Sequence, residues 1–157
     1  MRSRISAGIV LYRIRNGLEV FIAHPGGPLF AHKDDGHWSI PKGEVEPDED
    51  LLATAIREFE EEVGLALDPK SEFIPLGTIQ QKGGKIVHAW GVMGDWEDSR
   101  AVRSNTFTIE WPPRSGRMQE FPEVDRAGFF PVAEAKRKLK PTQVPLIERL
   151  EEALRRP

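Results

Sequence analysis

The chain has 157 residues, 39% of them hydrophobic and 30% charged, with a formal net charge of −3. That suits one compact domain over residues 1–157, with apolar material for a single core and no run of about 18 apolar residues that would span a membrane. There is no cysteine, which excludes disulfides, thiolate zinc sites and cysteine nucleophiles and favours a reducing, cytoplasmic setting; the small negative charge gives no bulk attraction to nucleic acid or membrane.

The first apolar run alternates and carries Tyr12 and Arg13, so it reads as a strand and not a signal peptide. Ser6 to Ile14 and Leu18 to Ala23 flank Asn16-Gly17, a hairpin signal. Residues 29–47 are rich in turn formers around one apolar island, Trp38-Ser39-Ile40, and read as a functional loop with a short strand. Asp48 to Val63 is the clearest helix: Asp48 is the expected N-cap, Glu49 and Asp50 fall in the first turn, and Gly64 stands at the C′ position. Leu51, Leu52, Ala55, Ile56, Phe59 and Val63 fill one arc about 140° wide, the predicted core stripe.

Phe73 to Gln80 and Lys85 to Met93 form a second predicted hairpin through Gly83-Gly84. Residues 94–104 read as a polar loop, Asn105 to Trp111 as a strand, 112–126 as loop and Ala127 to Val132 as a short strand. Ala133 to Leu139 is expected to be helical. After Pro141, Val144, Ile147, Leu150 and Leu154 recur at the spacing of an amphipathic helix. The order of elements gives an α+β domain without repeats or linkers.

Charge is distributed unevenly. Residues 44–62 hold nine acidic side chains and one basic, Arg57, so the rest of the chain is net positive. Glu58, Glu61 and Glu62 are spaced i, i+3, i+4 and share an arc of about 100° beside the apolar stripe, while Glu60 points elsewhere. Like charges on one helix face repel by roughly 0.2–0.5 kcal/mol per pair. They also stand at the helix end where the dipole disfavours anions. A divalent cation removes both conflicts, and carboxylate oxygens are the ligands that Mg²⁺ and Mn²⁺ prefer. The Gly43 carbonyl could reach the same ion, and Arg57 can pair with Glu61 one turn on.

Gly43, Glu49, Arg57, Glu58, Phe59, Glu61, Glu62, Gly64 and Leu65 together resemble the signature of the Nudix hydrolase family, matched without departure over 23 residues. The flanks HPGGP, WSIPKGE, EWPPRSG and FPEVDRAGFF resemble a bacterial, MutT-like subgroup described as NTP pyrophosphohydrolase-like. The resemblance implies an α/β/α sandwich around a mixed β-sheet. It implies Mg²⁺ or Mn²⁺ held by Glu58, Glu61, Glu62 and the Gly43 carbonyl, with Arg57 and Glu49 in supporting places. It also implies hydrolysis of a nucleoside diphosphate linked to another group. Trp38 to Gly43 is similar to the approach to the signature in dinucleoside polyphosphate hydrolases. Tyr12 is the only tyrosine, so the one that animal diadenosine tetraphosphate hydrolases carry after the signature is missing.

The expected reaction is attack of water on a bridging diphosphate, helped by positioning and charge neutralisation. A carboxylate accepts the proton: Glu58, Glu62, or a loop glutamate, with Glu120 placed ahead of Glu123. Lys42 is the best candidate to hold phosphate. Arg114 and Arg117 flank a Ser-Gly turn that could offer N–H groups and positive charge. Trp38 is expected to line the cleft, and Trp90 to pack in the core. His24, His32, His37 and His88 lack metal-ligand spacing, and neither a P-loop nor a nucleophile elbow is present. The expected partner is a nucleoside or dinucleoside polyphosphate bound by a monomer or homodimer, not a membrane or nucleic acid. A non-catalytic nucleotide-binding module and a hydrolase of RNA 5′ ends stand as alternatives.

Overall fold

The computed structural model describes residues 4–97 and 101–156. In chain order the elements are β1 (Ile5–Ile14), β2 (Leu18–Pro25), β3 (Lys42–Glu44), α1 (Leu51–Val63), β4 (Ile74–Gln80), β5 (Ile86–Met93), β6 (Thr106–Glu110), β7 (Met118–Pro122), β8 (Val124–Pro131), α2 (Val132–Lys138) and α3 (Val144–Arg155). The main sheet runs β4-β5-β1-β2-β8, and β3 pairs with β1. β1 is parallel to β5 and antiparallel to β2 and β3, so the sheet is mixed.

β1 lies at the centre and is buried along most of its length, which is why its sequence is a nearly unbroken apolar run. Alternate residues feed two cores. Ala7, Ile9 and Leu11 pack with Ala55, Phe59 and Val63 of α1. Val10 and Tyr12 pack with Leu146, Ile147 and Leu150 of α3 and Ala135 of α2. Helices thus cover both faces, as the α/β/α sandwich requires.

β1 changes partner along its length. Tyr12 to Ile14 pair with β2, whereas Ser6, Ala7 and Gly8 pair with Glu44, Gly43 and Lys42 of β3. Ser39 bridges to Ala23 of β2, so residues 38–44 are wedged between the two strands. The expected strand at Trp38–Ile40 is only a pair of isolated bridges, and the paired segment begins at Lys42.

Helix α1 starts later than expected. Asp50 is the N-cap and its carboxylate accepts the Ala53 N–H, whereas Asp48 has φ 66° in the preceding turn. Gly64 ends the helix with φ 86°, as the sequence suggests. Residues 112–126, read as loop, contain β7 and the start of β8; β7 pairs with β6 as a separate two-stranded sheet. The polar loop 94–104 hides a core residue, Trp96, packed on Phe21; residues 98–100 of that loop lie outside the described residues.

Candidate active site

Helix α1 lays its apolar stripe on the sheet, and this brings Glu58 and Glu62 against β3, with Glu61 beside Arg57. Gly43 pairs with Ala7, so its missing side chain faces the same layer as α1. A Cβ at Gly43 would collide with the Glu58 carboxyl group, so glycine is what permits the backbone to meet that carboxylate. Glu62 accepts a hydrogen bond from the Lys42 N–H at 3.3 Å. Two signature carboxylates are thereby set against the backbone of Lys42-Gly43.

Arg57 organises the others. Its Nε and Nη2 donate to the two oxygens of Glu49 at 2.8 and 3.0 Å, a bidentate fork. Its Nη1 donates to Glu61 at 3.1 Å and to Glu58 at 3.3 Å. Glu49 also accepts the Glu46 N–H, so the loop entering α1 is tied to the middle of the helix. The Arg57–Glu61 pair expected from spacing is present, and Glu49, eight residues away, is the stronger partner.

The electrostatics are unbalanced. Burial pushes the Glu62 carboxyl up to about 8, against the pull of Lys42; Glu58 and Glu123 push it the same way. Burial and then Glu61 raise Glu58. Burial and the neighbouring Lys140 and Lys85 bring Lys42 down to about 8. In contrast, Arg57 holds Glu49 down to about 2. Among the described residues no three carboxylate or imidazole groups converge on one point. Arg57 Nη1 spans Glu58 and Glu61, while Glu62 turns to the Lys42 amide. The donor set is nonetheless all oxygen, with two carboxyls whose ionisation is suppressed by burial and then by neighbouring carboxylates. That chemistry fits a hard divalent cation.

The remaining expected site residues are dispersed. Trp38 is a correction: it is 3% exposed, in the core under α2 and α3, and donates to Asp34 at 2.7 Å. Its ring packs edge-on to His24 and Phe130, so it offers no face to a base. Glu120 is exposed on β7 opposite Thr108. Glu123, the second of the two glutamates, is the one whose charge acts on both Glu58 and Glu62. Arg117 is exposed near the tip of the β6–β7 hairpin. The turn amides there are already taken: Arg114 and Gly116 N–H donate to the Glu110 carboxylate at 3.0 and 3.1 Å. Sequence reading left out Lys140 entirely, and only the fold shows it beside Lys42.

An acidic helix face opposed by lysines across a glycine strand suits chemistry on phosphoanhydrides, and pyrophosphohydrolase is the class into which this domain falls. A family model described as NUDIX domain matches residues 2–150, and the chain belongs to the Nudix hydrolase family.

Solved structures of similar fold include an Ap4A hydrolase from C. elegans in a binary complex, 20% identical, covering 96% of this chain and 98% of that one with a TM-score of 0.66. The NUDIX domain of Shewanella oneidensis NrtR complexed with ADP ribose is 17% identical, covering 98% and 90% of the two chains, with a TM-score of 0.65. A MutT protein from Methanosarcina mazei Go1 is 18% identical over 97% and 95%, with a TM-score of 0.59. At these identities the likeness is one of fold.

Proposed function

We propose that this single-domain protein is a divalent-cation-dependent hydrolase that cleaves the diphosphate linkage of nucleoside or dinucleoside polyphosphates. The observation that carries the reading is the carboxylate face of α1 set against Gly43 and Lys42. The fold shared with the C. elegans Ap4A hydrolase supports the substrate class.

Glu58, Glu61, Glu62 and the Gly43 carbonyl would hold Mg²⁺ or Mn²⁺. Such an ion neutralises charge on phosphoryl oxygens and makes water more acidic. Arg57 fixes Glu58 and Glu61 in direction through its fork to Glu49. Lys42 offers positive charge to the substrate's phosphates beside the carboxylates. Glu123, whose charge reaches Glu58 and Glu62, is the proposed acceptor of the proton from attacking water.

The test is a substrate panel of nucleoside triphosphates, dinucleoside polyphosphates, ADP-ribose and triphosphorylated RNA, with Mg²⁺ or Mn²⁺ and product identification. Turnover of free nucleotides that needs the ion is expected. Tight nucleotide binding without products would instead favour a non-catalytic module. Turnover confined to RNA would favour 5′-end processing.

A further inference from the structure

The flanks HPGGP and FPEVDRAGFF, which the carboxylate site leaves unused, meet in the fold. The end of β2 lies against the start of β8. Pairing runs in step from Glu19–Pro131 to His24–Arg126 and then slips, so that Pro25 faces Val124 and Asp125 is the extra residue of a bulge. A Cβ at Gly26 would collide with the Pro122 carbonyl, and one at Gly27 with the Phe107 ring. The two glycines thus let the chain leaving β2 pass directly against the β6–β7 hairpin.

This crossing holds Glu123 by its backbone on both sides. Gly26 N–H donates to the Glu123 carbonyl at 2.9 Å, and Glu123 N–H donates to the Asn105 carbonyl at 2.8 Å. Asn105 N–H in turn donates to the carbonyl of Glu61, in the last turn of α1, at 3.0 Å. These hydrogen bonds join the end of β2, through Glu123, to the helix that carries the carboxylates. The Ser104 hydroxyl adds a clasp beside them, 3.2 Å from both the N–H and the carbonyl oxygen of Val124.

His24 locks the bulge. Its ring is fully buried, yet both nitrogens meet oxygen: Nδ1 lies 2.8 Å from Asp125 Oδ1, and Nε2 lies 2.6 Å from the Lys33 carbonyl. A carbonyl only accepts, and so does an ionised carboxylate, so the ring satisfies both partners by donating from both nitrogens. Arg126 Nε stands 3.9 Å from the same Asp125 oxygen. The other charged groups nearby, Asp34 of the loop and Lys138 of α2, pair with each other at 3.0 Å beside the Trp38 ring. Burying the ring in this form is costly and is offset only while both acceptors stay in place, so it restricts where the bulge can lie.

We propose that His24 is a positioning residue for Glu123: its doubly protonated ring, bound to Asp125 and to the Lys33 carbonyl, holds the bulge beside Glu123 and so fixes that glutamate relative to α1. This rests on the reading of Glu123 as proton acceptor and extends it to a buried residue outside the carboxylate cluster.

Asparagine and glutamine separate the two arms of the ring. An Asn amide replaces Nδ1 and keeps the bond to Asp125, whereas a Gln amide replaces Nε2 and keeps the bond to Lys33. His24→Gln should lower kcat about tenfold or more with KM within about twofold, while His24→Asn should keep kcat within about threefold of wild type. Asp125→Ala, at a partly exposed side chain, should match His24→Gln and guards against a folding defect at the buried ring. In a Glu123→Gln background, His24→Gln should cost nothing further. Equal losses in His24→Asn and His24→Gln, a KM that rises as kcat falls, or losses that add to that of Glu123→Gln overturn the role. Full activity of Glu123→Gln is the separate result that removes the acceptor reading and this proposal with it. Two NMR readings need no turnover and stay decisive if the hydrolase reading fails. Ring nitrogen shifts of His24 should show both nitrogens protonated at about pH 7. Hydrogen exchange at the Gly26 and Glu123 amides should speed at least about tenfold in His24→Gln but not in His24→Asn. A ring nitrogen without its proton, or exchange that ignores His24→Gln, overturns the proposal.

Discussion

Two charged regions stand in contrast, the face of α1 and the tip of the β6–β7 hairpin. At the hairpin tip, Arg114 and Gly116 turn their amides inward to Glu110 at 3.0 and 3.1 Å. The anion they could have recruited is supplied by their own strand. On α1, Arg57 answers Glu49, Glu58 and Glu61 and Lys42 answers Glu62, yet burial leaves Glu58 and Glu62 with suppressed ionisation. At the hairpin the turn amides are satisfied by Glu110, whereas on α1 buried carboxyls face one another. A binding site is marked by charge held against burial, not by charge alone.

The largest expected effect sharpens that contrast. Glu61→Gln or Glu62→Gln should cut kcat/KM by about a hundredfold or more, on the scale of losing a principal electrostatic contact to the transition state. Steady-state kinetics across a range of Mn²⁺ concentrations checks it. Next is Gly43→Ala, whose Cβ would collide with the Glu58 carboxyl group. It should lower activity by roughly ten- to a hundredfold, with a far-ultraviolet circular dichroism spectrum like that of the wild type.

Smaller effects concern Arg57 and Glu49. Arg57→Lys removes the bidentate fork and should cost about 1 kcal/mol in urea unfolding, discounted because the pair is partly exposed. The same pair gives a pH signature. Glu49 is held at about 2 against an ordinary value of 4.5, so its contribution is complete above about 4.5 and is lost as pH falls toward 2. Unfolding midpoints followed from about pH 6 to about pH 3 should fall less steeply in Glu49→Gln. The smallest effect is expected at the hairpin. Glu110→Gln should cost roughly 0.5–1.5 kcal/mol at most and change kcat/KM less than about twofold. A loss as large as that of Glu62→Gln would place the hairpin turn in the site.

Much of α1 is legible from its own residues, because the stripe, the glycine cap and the acidic triad all follow one period. Its start is not: Asp48 and Asp50 offer competing caps, and it is the Asp50 carboxylate that accepts the Ala53 N–H. β7 is hidden because Met118–Pro122 has little strand character of its own and is held by pairing with β6. Trp38 misleads for the opposite reason: an apolar island in a turn-rich loop reads as cleft lining, yet it plugs the core against His24 and Phe130. Lys140 carries no local signal. Only the closure of three distant segments on Gln143 brings it beside Lys42.

The central claim is that Glu58, Glu61 and Glu62 are gathered to grip a divalent cation. Isothermal calorimetry with Mn²⁺ tests it most directly. The account predicts saturable uptake by the wild type that Glu61→Gln and Glu62→Gln each weaken severely. No uptake by the wild type, or uptake that neither substitution disturbs, would contradict it.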